Sequence, residues 1–219
     1  MNRCTLSFCR KFICGVLGCC LVVSAGTAAA DSKAAKSAPA SKAEAKAKTP
    51  TPEEAMMAEM MKYANPGDQH KALEPLVGTW KSTSKMFMGP GEPQTSEGTC
   101  ERSWIMGGRF LMAKHSGVMA GAPFEGMEIE GYDMRAGQYV TTWLDNMGTC
   151  IYSTTAGTMD PATKTLTMTM PMFDPMAGAM TPYKLVTHII DQNTHTFSIV
   201  ASRGGKEMTD MEITYTRVK

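Results

Sequence analysis

The chain has 219 residues, 43% of them hydrophobic and 20% charged, with 22 Lys and Arg against 21 Asp and Glu. The formal net charge is +1, and no stretch pairs a basic patch with interleaved aromatic residues. Nucleic acid is therefore not an expected partner, and the length suits one domain plus a tail.

Residues 1–30 read as a signal peptide. Arg3, Arg10 and Lys11 form a basic start, Phe12 to Val23 an apolar run, and Ala28-Ala29-Ala30 a small-residue cleavage site. The apolar run is too short for a membrane span, so no transmembrane segment is expected once it is removed. Export to the periplasm or medium follows. A lipid-anchored form through Cys19 or Cys20 fits less well, because Leu21-Val22-Val23 is an odd tether. Retention of the segment as an anchor is the third reading.

Residues 31–52 are Ala, Lys, Ser and Pro with almost nothing large. Such a composition cannot offset the entropy of ordering, and the expectation is a disordered tether. A short helix is expected over 53–65. Thr51 caps it, Pro52 opens it and Glu53-Glu54 fill the first turn, while Asn65-Pro66-Gly67 stops it. Its Met56, Met57, Met60 and Met61 read as a stripe docked on the domain or as soft sulfur ligands.

From Gly78 the hydrophobic period becomes two. Strands are expected over 78–88, 96–106, 109–118, 124–133, 138–145, 149–159, 164–172, 181–190, 194–202 and 206–217. Gly89-Pro90-Gly91, Gly107-Gly108, Asp160-Pro161 and Gly204-Gly205 are among the turns between them. Short connections throughout predict an all-β domain over 66–219. The architecture expected is a single antiparallel up-and-down β-barrel of about ten strands. In it the strand carrying Trp80 lies beside the strand carrying Arg217, and closure removes exposed edges.

Seven cysteines are present, five of them before residue 21. Cys100 and Cys150 remain, either as one disulfide or as two small buried hydrophobes. Of 21 methionines, all but Met1 lie beyond residue 30. Met168, Met170 and Met172 share a strand face and can fill or line a lumen. Thioethers in that pattern also suit Cu(I), which gives a second functional reading.

Trp104, Arg109, Trp143 and Asp145 are the polar and aromatic pocket candidates, with Met168, Met170 and Tyr215 completing the expected lumen. Trp143 and Asp145 fall on one strand face. Arg109 could pair with Asp145, or Asp145 could simply open the next turn. Glu128 and Glu130 also share a face and are expected outside, in solvent. The four histidines show no metal spacing. No nucleophile elbow or phosphate loop is present, so an enzyme is the least supported reading, and no cofactor is expected.

The ordered residues Gly78-x-Trp80 and Arg217 resemble the calycin and lipocalin pattern. That resemblance implies that Gly78, Trp80 and Arg217 close one barrel end. A longer series is similar to the bacterial family catalogued as domain of unknown function 1579. It runs from His70-x-x-Leu73-x-x-Leu76 through Gly107-Gly108-Arg109-Phe110-Leu111, Gly131-Tyr132-Asp133 and Trp143-x-Asp145 to Met211-Glu212-Ile213-x-Tyr215-x-Arg217. The resemblance covers about 66–219 and implies the fold without an activity. The glycine-rich signature of nitrobindin-like haem barrels is missing after Trp80. The functional expectation is an exported lipocalin-like barrel that holds a small, mostly apolar molecule.

Overall fold

The computed structural model describes residues 49–89 and 91–219; the expected signal peptide and nearly all of the tether lie outside them. Helix α1 (Pro52–Met61) starts at a capping box: Thr51 Oγ1 accepts from Glu54 N at 3.2 Å, and Glu54 Oε2 accepts from Thr51 N at 2.8 Å. None of its residues is buried, and Met56, Met57, Met60 and Met61 are each more than half exposed. The expected docked stripe is absent. With Glu53, Glu54 and Glu59 interleaved among the methionines, the helix has no one-sided apolar face to bury.

Helix α2 (Asp68–Lys71) and a 3₁₀ turn (Glu74–Leu76) follow. They drive Leu73 and Leu76 into the domain, where both are fully buried. Eleven strands come next: β1 (Gly78–Met86), β2 (Gln94–Ile105), β3 (Phe110–Met119), β4 (Ala122–Asp133), β5 (Gln138–Asp145), β6 (Tyr152–Ser153), β7 (Ala156–Asp160), β8 (Thr165–Asp174), β9 (Ala179–Ile189), β10 (Thr194–Arg203) and β11 (Lys206–Arg217). All pair antiparallel in one curled sheet of order β6-β5-β4-β3-β2-β1-β11-β10-β9-β8-β7. Trp80 on β1 lies opposite Arg217 on β11, so the first and last strands zip together.

The single strand expected over 149–159 is two short ones. At Thr154–Thr155 the chain changes partner. Thr154 N donates to Thr141 O on β5 at 3.0 Å, whereas Thr155 N donates to Thr169 O on β8 at 2.8 Å. The Thr154 hydroxyl also takes the place of a backbone acceptor, receiving Thr141 N at 2.8 Å. This segment forms the seam where the two ends of the curled sheet meet. Gly157 permits it, since a Cβ there would stand 2.2 Å from Tyr139 O on β5.

One end of the curl is sealed. Trp80 is fully buried and donates from Nε1 to Leu76 O at 3.0 Å. The Arg217 guanidinium lies over its ring, 4.1 Å from the centroid, and donates to Val77 O at 2.6 Å and Pro75 O at 2.9 Å. Gly78 has φ +132°, and a Cβ on it would meet Arg217 Nη1 at 2.2 Å. Glycine is required there twice over: for its backbone angle, and to admit the guanidinium. The other end is open to solvent. Along β1 the inward residues after Trp80 (Ser82, Ser84 and Met86) are only half-buried, and so are Ile213 and Met211 on β11.

Candidate functional site

Between the sealed and accessible ends lies a layer of ionisable side chains. Arg102 is on β2, Ala113 opposite it on β3, and Glu128 opposite Ala113 on β4. The methyl of Ala113 is short enough for Arg102 to reach across β3, and Arg102 Nη2 stands 3.4 Å from Glu128 Oε2. On its other side Arg102 Nη1 lies 2.8 Å from His195 Nε2. His195 is buried edge-on to Trp80 at 4.3 Å and stacked on Tyr215 at 4.4 Å, and Arg102 lies over that Tyr215 ring at 5.0 Å.

Towards the accessible end His115 Nε2 is 3.7 Å from Cys100 Sγ and 3.8 Å from Glu128 Oε2. One ring nitrogen serves both contacts, so these three side chains do not form a Cys–His–acid relay, which needs the two nitrogens separately. Burial also pushes the Cys100 thiol up to about 11, far from the thiolate that a nucleophile needs. Trp143 packs against His115 at 5.1 Å and occupies the space above Gly126, where a Cβ would meet the indole at 2.5 Å.

Glu130 is buried and the Glu128 side chain is only 12% exposed, contrary to the expected solvated face. Burial raises the pKa of Glu128, but the adjacent His115 and the charge of Arg102 outweigh it and hold the carboxyl below its ordinary 4.5. Glu130 has burial and the Glu128 charge against it, and rises to about 8. Burial, then Arg102, depresses His195 to about 2. Burial also keeps Tyr215 a phenol. At neutral pH the layer thus holds one ion pair, a neutral carboxyl, a neutral imidazole and a phenol. Four buried polar atoms in it have no protein partner: Arg102 Nε, Glu130 Oε1, Thr141 Oγ1 and His195 Nδ1.

These shifts set a pH profile for stability. Glu130 ionises near 4.5 when unfolded and near 8 when folded, so it withdraws stability as the pH climbs through that interval. His195, ordinarily near 6.5, withdraws stability as the pH falls from there towards 2. Glu128 adds to the acid loss below 4.5. Between 4.5 and 6.5 the Glu130 and His195 slopes oppose each other. The expected result is a broad maximum in that interval with decline on both sides, read from urea midpoints across about pH 3 to 9. Glu130→Gln is expected to flatten the alkaline limb and to uncover the rising His195 slope between 4.5 and 6.5.

The sequence-derived candidates are spread through the structure. Tyr215 belongs to the layer. Trp143 overlooks it and donates from Nε1 to Asp145 Oδ2 at 2.7 Å. Asp145 also accepts from Met147 N at 2.9 Å, so it opens the turn after β5. Arg109 is not its mate. It sits at the sealed end, donating to Ala64 O at 2.9 Å and Met106 O at 3.0 Å, in an outer cleft of about 410 Å³. The β2–β3 turn and the end of β5 lie at opposite ends of the curl. Trp104 is also at the sealed end, donating to Glu74 Oε2 at 2.6 Å. Met168 and Met170 are buried among Leu166, Leu185 and Tyr139 as core filler. Cys100 is buried, Cys150 exposed, and both are free thiols, so the possible disulfide is not formed. The reading of the residues missed Arg102, Glu128, Glu130, Thr141 and His195. The one signal for them is that Cys100, Arg102 and Trp104 alternate on a single face of β2.

Fold and interior together define a calycin-like, up-and-down curled barrel with one sealed end and a polar middle layer. The family model described as protein of unknown function (DUF1579) matches residues 65–217, and the chain belongs to that family. Among solved structures, the crystal structure of Rv2717c from M. tuberculosis is similar in fold, with a TM-score of 0.50 at 16% identity. The match covers 71% of this chain and 100% of that one. No curated protein matches the chain. Among the described residues no helix is long and apolar enough to cross a membrane.

Proposed function

We propose that this chain is an exported small-molecule-binding barrel. The ligand enters through the accessible end, lies along Trp143 and Ile213, and meets the Arg102–His195–Tyr215 layer below. The observation that carries this reading is the axial asymmetry of the interior: inward residues pass from fully buried to half-buried along β1 and β11, and unpartnered polar atoms lie at the transition. Protein interiors ordinarily pair such atoms, and a binding site holds a few polar groups among apolar walls. Loops at the accessible end and the end of β8 also expose Met88, Met147, Ile151, Phe173 and Met176, an approach suited to an apolar body. The test is native mass spectrometry of the full-length gene product purified from its own host, with 1-aminoanthracene as displacing probe. A small-molecule adduct lost on probe addition, with a change in tryptophan fluorescence, is expected. A bare mass together with no probe binding overturns the reading.

A further inference from the structure

We infer that the buried layer recognises a neutral carbonyl oxygen, of a ketone, ester or aldehyde, at the end of an apolar ligand; this rests on the binding reading above. The argument begins with a tautomer. A guanidinium has only donors, so the 2.8 Å contact of Arg102 Nη1 with His195 Nε2 makes that nitrogen the acceptor. In the neutral ring the proton is then on Nδ1. Arg102 Nε–H and His195 Nδ1–H are consequently two obligatory donors, both buried and both without a protein partner.

The other two unpartnered atoms, Glu130 Oε1 and Thr141 Oγ1, belong to residues facing each other across β4 and β5. A protonated carboxyl and a hydroxyl can each give or take a hydrogen bond. None of the four atoms is restricted to accepting. What complements the layer is an acceptor, and a ligand ammonium would leave both N–H groups unmet beside a fixed guanidinium. Net charge narrows the class further. Arg102 is already neutralised by Glu128 at 3.4 Å, so an added carboxylate would have to share that cation. An uncharged carbonyl oxygen meets the donors without disturbing the pair. The half-buried inward faces of Trp143, Phe197 and Ile213 are left for the apolar remainder.

Four ligands of matched length test this on the full chain: 2-decanone, decane, decylammonium and decanoate, each displacing 1-aminoanthracene. The ketone is expected to bind about tenfold tighter than decane, the ratio one net hydrogen bond supplies. Decylammonium is expected to be weakest and decanoate weaker than the ketone. The infrared carbonyl band of bound 2-decanone is expected to move to lower wavenumber, and Thr141→Val to weaken the ketone while leaving decane unchanged. Equal binding of all four, or an unshifted band with the donors held by ordered water, overturns the inference and leaves the binding barrel standing. Tightest binding by decanoate replaces the neutral class with an anionic one. No binding by any probe removes both readings.

Discussion

Replacing Arg102 with methionine is expected to lower the unfolding free energy by about 3–5 kcal/mol near pH 7, the usual result of stranding one charge of a buried pair. Arg102 and Glu128 side chains are 5% and 12% exposed, so little water reaches the carboxylate once its partner is gone. The loss is therefore expected to be smaller at acid pH, where Glu128 itself becomes neutral. A double substitution, Arg102→Met with Glu128→Gln, is expected to recover most of the loss, since it removes the stranded charge. Urea denaturation of the four proteins of the cycle measures this. A shift in midpoint equal for single and double variants would show that packing by the Arg102 stem, and not the ion pair, is the stabilising element.

Trp80→Ala is expected to cost about 3–5 kcal/mol, the range for emptying a buried aromatic site. Three contacts go at once: the hydrogen bond to Leu76 O, the edge contact with His195, and the face under Arg217. Because Arg217 also ties Val77 and Pro75 to the last strand, the damage is expected to reach the 3₁₀ turn and Leu73. Trp104→Ala is the comparison. Its indole is half-buried and bonded to the exposed Glu74, so its loss is expected to move the urea midpoint much less. Equal shifts for the two would mean that the sealed end is not the anchor of the fold.

Gly78-Thr79-Trp80, the turn dipeptides and the period of two located nearly all the strands and the β1–β11 closure. Those signals are local or depend on alternation, and both are written in the chain. The seam was illegible because Thr154 and Thr155 keep the strand-like pattern while changing partners, from Thr141 to Thr169. A change of partner leaves no mark on periodicity.

The site was read less well for a similar reason. Tyr215 and Trp143 stand out as large aromatics on alternating faces. Glu128 and Glu130 do not, because β4 has apolar residues on both faces: Met127 and Ile129 on one, Phe124 and Tyr132 on the other. The partner that receives Glu128 inside is Arg102, which lies on another strand and reaches over Ala113. Of the two readings of Asp145, the turn-opening one holds and the pairing with Arg109 does not. Opposite charges invite pairing on paper, but the meander puts them at opposite ends.

The position of the β1–β11 ladder also bears on how the molecule assembles. Strands β1 to β6 form one meander and β7 to β11 another, each made of hairpins whose partners are neighbours in sequence. Such hairpins close short loops and can form early, whereas joining Trp80 to Arg217 closes nearly the whole domain in one step. Both halves must exist before their shared edge can zip, so the long-range docking event, and with it burial of the indole, belongs late in folding. Until then each half carries an unpaired edge, the state in which this chain is most open to mispairing with a second copy.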